Sequence, residues 1–77
     1  MSAIHPAPEE ISEQMLVDDP ILKYFHYKHL PPSLAQISQE FCRLAVFIVQ
    51  NTPRSAERTV ALRKLLESKD CAVRSAV

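Results

Sequence analysis

The chain has 77 residues, 47% of them hydrophobic, with nine basic and nine acidic side chains, six prolines, two cysteines and no glycine. A chain of this length is one domain, and a core of that size seldom supplies more than about 3–5 kcal/mol unless a disulfide, a metal or a second copy of the chain reinforces it. Its longest apolar run, LAVFIV at 44–49, is far below the roughly 20 residues that cross a bilayer, which excludes a membrane-spanning class.

The opening, MSAIHPAPEEISEQM, has neither the basic start nor the apolar stretch of a secretory leader, so Cys42 and Cys71 are expected as free thiols in a soluble cytoplasmic protein. Charge divides unevenly along the chain. Residues 1–19 hold five acids and no Lys or Arg, whereas residues 20–77 hold nine basic and four acidic side chains, a balance of plus five. The sequence thus reads as an acidic extension over 1–19 and a basic body over 20–77. A basic body favours an anionic partner, and it is equally what a solvated helix surface carries.

Strand hairpins and tight turns lean on glycine, which is absent, and the prolines fall between helical patterns, so the fold class is all-α. A short helix is expected over 9–17, after Pro6 and Pro8. In DDPILKYF, Asp19 is placed as an N-cap and Pro20 at the first position of a second brief helix. LPPS at 30–33 halts the chain, because a residue before proline is pushed toward extended geometry.

From 33 or 34 to about 51 the spacing predicts a long helix. Leu34, Ile37, Phe41, Leu44 and Ile48 recur at three and four residues and form its apolar stripe. Cys42, Ala45, Val46, Phe47 and Val49 widen that stripe until the second half of the helix is apolar nearly all round. Such a helix has to be covered on more than one side; a neighbour in the chain can cover one and a second copy of the protein the other.

NTPRSAER breaks this helix and opens the last one. Thr52 or Ser55 is the candidate cap, Pro53 suits a first turn, and Glu57 complements the positive helix end. Leu62, Leu65, Leu66, Val73 and Ala76 keep helical spacing beyond it. Arg63 with Glu67 and Asp70 with Arg74 are four apart, as surface pairs worth about 0.2–0.5 kcal/mol each. Arg54, Arg58 and Lys64 have no acid four residues away and stand as the uncommitted cations of this helix.

Chemistry is sparse. His26, His29 and Cys42 lack the second short-spaced pair that zinc requires, both thiols read as inert core cysteines, and there is no triad, phosphate loop or paired carboxylate. No catalytic residue, metal or cofactor is therefore expected, and the chain does not read as an enzyme. What remains is FHYKHLPP, the approach to the long helix. Tyr24, Phe25 and Tyr27 with His26, Lys28 and His29 have the composition a flat anionic ligand needs, rings to stack on and cations to meet phosphate. The same rings suit a plug for the helix pair, with Tyr27 the one left exposed, and composition leaves both readings open.

The runs YFHYKHLPPSLAQISQEFCRLA and NTPRSAERTVALRKLLESKDCAVRSA resemble a family of small phage proteins, the anti-CBASS sponges. These soak up the cyclic oligonucleotide signals of bacterial immunity without cleaving them. The likeness covers about residues 24–76, and PRSAERTVALRKLLESKD is its most specific part. It implies a small helical protomer with two long antiparallel helices, assembly through dimers into a homohexamer, and pockets shared between protomers in the cytoplasm of an infected bacterium. The implied partners are cyclic dinucleotides and cyclic trinucleotides. General DNA or RNA binding ranks third, because the basic excess is modest and sits partly in ion pairs, and no membrane partner is expected.

Carried over by position, the resemblance implies that Tyr27 is the stacking aromatic and that His29, Leu30, Pro31 and Pro32 form its shelf. Arg43 and Lys28 would face phosphate. Glu57, Arg58, Thr59, Arg63 and Lys64 would build a ring near the symmetry axis. HLPP carries one residue more than the shorter His-x-Pro form, and Val73 stands where some members have Asn. The competing reading is a helical adaptor that binds another protein through an exposed apolar or basic face.

Overall fold

The computed structural model describes residues 11–77. It is all-helical, with no strand among the described residues. Helix α1 spans Glu13–Asp18, a 3₁₀ helix follows at Pro20–Phe25, and two twenty-residue helices complete the chain, α2 at Pro32–Asn51 and α3 at Ala56–Ser75. The two long helices pack on each other, and the 3₁₀ helix packs on α1, α2 and α3.

Local chemistry accounts for the boundaries. Ser12 caps α1 by accepting from the Met15 N–H at 3.2 Å, and Ser55 caps α3 by accepting from the Arg58 N–H at 3.0 Å, so Ser55 rather than Thr52 is the cap. Thr52 acts at the other terminus, where its hydroxyl donates to the Ile48 carbonyl at 2.7 Å beside Asn51, which donates to Phe47 O at 2.8 Å. Pro53 lies in the connection, not in the first turn of α3. The short helix expected over 9–17 begins at Glu13 instead; positions 9 and 10 lie outside the described residues.

The described part of the acidic extension, residues 11–19, packs on the body of the protein. Ile11 is buried in the core, and Met15 and Leu16 pack against it. Burial of Leu22 and Phe25 completes that wall, and each such side chain contributes about 1.5–3 kcal/mol.

The largest departure concerns the face that α2 turns inward. The residues buried on it are Ser38, Cys42 and Ala45, the expected stripe of Ile37, Phe41 and Leu44 moved on by one residue, or about 100° around the helix. Small side chains let the 3₁₀ helix and α3 approach α2 closely, while Leu34, Ile37, Phe41 and Ile48 flank the contact half-buried. Leu44 and Phe47 are left 47% and 60% exposed. On α3, Leu62 is buried, Leu65, Leu66 and Val73 are half-buried, and Ala76 is exposed rather than packed. No helix among the described residues is long and apolar enough to cross a membrane.

Candidate functional site

Two sites lie against opposite parts of α3. Toward its C-terminal part a cleft of about 480 Å³ opens between the helix and the 3₁₀ segment, within the size range of small-ligand pockets. Lys23, Tyr24, His26, His29 and Leu30 line one side, and Lys69, Asp70, Val73 and Arg74 line the other.

The 3₁₀ geometry decides which aromatic faces this cleft. Side chains three apart eclipse in a 3₁₀ helix, so Leu22 and Phe25 turn inward together and Lys23 and Tyr24 are left outside. At His26 the backbone becomes extended, successive side chains then alternate, and Tyr27 returns to the core. Tyr27 is 7% exposed and Tyr24 55%. The expectation that Tyr27 is the exposed ring is therefore corrected for the protomer: Tyr27 is buried and Tyr24 is the exposed ring. The Lys23 ammonium lies 5.1 Å from the centroid of the Tyr24 ring, a cation–π contact.

On α3, Lys69 and Asp70 pair at 2.9 Å. Arg74 does not pair with Asp70 as its spacing suggests; its guanidinium donates to Cys71 Sγ at 3.5 Å. Cys71 is exposed and is no core thiol, whereas Cys42 is buried. His26 Nε2 is buried without a hydrogen-bond partner. Among the described residues no three His, Cys, Asp or Glu side chains gather as metal ligands.

The second site lies at the start of α3 and is internally saturated. Arg58 donates from one guanidinium nitrogen to Asp19 Oδ2 at 2.6 Å and from the other to the Thr52 carbonyl at 3.0 Å. The ion pair is enclosed, with side-chain exposures of 7% for Arg58 and 13% for Asp19. Arg54 reinforces it, lying 3.8 Å from Asp19 Oδ1 and donating to the Asp18 carbonyl at 2.8 Å. Arg54 thus reaches a main-chain carbonyl 36 residues away and Arg58 a carboxylate 39 residues away in the chain, which helical spacing alone does not reveal. Arg54, Arg58 and Thr59 line a groove of about 310 Å³, and Arg63 lines the adjoining one with Asp18 and Pro20.

The expected site residues consequently separate. His29 and Leu30 belong to the aromatic cleft, and Arg58, Thr59 and Arg63 to the grooves around Asp19. Lys28, Pro31, Arg43 and Lys64 are exposed and line neither site, Arg43 lying 3.9 Å from Glu40 on the surface of α2. Sequence reasoning gave no ligand role to Lys23, Lys69, Asp70 and Arg74, and it named Tyr24 and His26 only as part of the aromatic group, without a position in the site. The spacing of 69, 70, 73 and 74 places these α3 residues on one face, and that signal was available. The chain matches no protein-family model, no curated protein and no solved structure.

Proposed function

We propose that the protein binds cyclic oligonucleotides and sequesters them intact, as its resemblance to the anti-CBASS sponges implies. The observation that carries this reading is the exposed Tyr24 ring, set in a cleft with Lys23 beside it and Lys69 and Arg74 opposite. A base stacks on Tyr24, at about 1–3 kcal/mol per base, while the ammonium and guanidinium groups meet the phosphates. His29 and Leu30 form the floor of the shelf. The ligand leaves unchanged, because this reading assigns the cleft residues to stacking and charge and gives none a part in bond cleavage.

In this reading the two long helices run antiparallel and the exposed Leu44 and Phe47 are covered by another protomer. Dimers built in this way assemble toward a hexamer and bring two clefts within reach of one cyclic dinucleotide. A larger cyclic trinucleotide uses the cations at the start of α3, Arg63 and Lys64 ahead of the engaged Arg58. The same exposed apolar side chains favour a second reading, a helical adaptor for another protein.

Thermal melting with a panel of cyclic di- and trinucleotides and linear controls tests the proposal, followed by chromatography of ligand released on denaturation. A ligand that binds only the folded state raises the melting temperature by mass action. Selective stabilisation with intact ligand recovered supports sequestration, and no shift with any nucleotide leaves the adaptor.

A further inference from the structure

Among the described residues, two buried side-chain polar atoms have no hydrogen-bond partner, Ser38 Oγ and His26 Nε2. They differ in setting. Ser38 is fully enclosed on the inner face of α2 and lines none of the clefts described above, whereas the His26 imidazole lines the aromatic cleft. A buried polar group left unsatisfied costs about 1–3 kcal/mol, and natural folds keep few of them without a reason.

The groups around His26 indicate what would satisfy it. Lys23 and Tyr24 precede it on the 3₁₀ helix, His29 follows in the loop, and Lys69, Asp70 and Arg74 face it from α3. Three fixed cations against one carboxylate, itself paired with Lys69, leave the cleft positive and suited to an anion. Resting on the sequestration reading, we infer that His26 Nε2 is a ligand contact and donates a hydrogen bond to a phosphate oxygen of the bound cyclic nucleotide.

The donor is desolvated before the ligand arrives. Lys23 and Arg74 are exposed and must give up water to bind phosphate, whereas His26 Nε2 has no water to lose. A charge-assisted hydrogen bond at that atom therefore returns more of its gross strength. No hydrogen bond from Nε2 ties the ring to its present orientation. The contact requires the ring to turn about the Cβ–Cγ bond and the long rim side chains to be displaced, so that the buried Nε2 reaches the ligand.

The inference makes stability and binding move in opposite directions, which a packing role would not do. His26→Phe keeps a flat ring and removes the orphaned nitrogen, so the ligand-free protein should melt a few degrees higher. Its affinity for the best-binding cyclic nucleotide, measured by calorimetry, should fall about tenfold to a hundredfold. His26→Gln retains an N–H donor and should bind within about threefold of wild type. In the wild-type protein the His26 Nε2 resonance should move when that nucleotide is added.

An unmoved resonance, or equal binding by His26→Phe, would overturn the inference while sequestration stands. Lower stability together with weaker binding in His26→Phe would mark a packing residue and also overturn it. A wild-type protein that binds none of the nucleotides removes sequestration itself, and this contact with it.

Discussion

The two parts of α3 carry similar side chains and use them in opposite ways. At its start, Arg58 and, just before the helix, the more exposed Arg54 engage Asp19 and main-chain carbonyls, and the charge of Arg58 is enclosed in the fold. Toward its end, Lys69 and Arg74 border an open cleft that also holds an exposed ring and an unsatisfied imidazole. A cation's availability is thus set by what the tertiary structure brings to it. Arg58 has no acid one turn away and is still the most fully engaged charge described, through a carboxylate 39 residues distant.

The largest effect should come from the closed part. Arg58→Ala leaves Asp19 enclosed without its partner, and loss of one member of a buried pair costs about 3–5 kcal/mol. Chemical denaturation should show that loss, with α1 released from the body; a cost below about 1 kcal/mol would show that the pair is only a surface contact.

Tyr27→Ala and Tyr24→Ala sharpen the contrast between the core and the open part. Truncating the buried ring should destabilise the fold by about 3–5 kcal/mol, whereas truncating the exposed one should leave stability within about 0.5 kcal/mol. Calorimetric affinity for a cyclic nucleotide should instead drop about tenfold or more in Tyr24→Ala. Unchanged affinity would move the stacking surface elsewhere.

Phe47→Asp places a charge in the exposed apolar patch of α2. Light scattering should then report a smaller particle than wild type, with helical content retained; an unchanged mass would mean that the patch is not the contact between copies. The smallest effect is expected from Arg43→Ala, whose 3.9 Å pair with Glu40 is solvent-exposed. Stability should change by no more than about 1 kcal/mol and nucleotide affinity by less than about twofold.

How much of this was legible in the sequence varies with the range of the interaction responsible. The all-helical class and both long helices follow from glycine absence, proline placement and local spacing, which act within a few residues and narrow the α3 cap to Thr52 or Ser55. The inner face of α2 was displaced by one position because hydrophobicity favours Ile37, Phe41 and Leu44, while close packing selected the smaller Ser38, Cys42 and Ala45. Tyr24 rather than Tyr27 is the exposed ring because Pro20–Phe25 is a 3₁₀ helix with a period of three, followed by extended backbone. The Asp19 clasp depends on a contact between distant parts of the chain, and no local pattern encodes it.

The turn between α2 and α3 is made without glycine, and no described residue takes a positive φ. A chain with six prolines and no glycine has a restricted unfolded ensemble, so ordering its backbone forfeits less entropy than usual for this length. The familiar stabilising replacements at flexible positions are therefore largely exhausted. Under the proposed reading, covering the exposed Leu44 and Phe47 or occupying the cleft adds stability from outside the protomer, which would make the protein's lifetime a readout of its company.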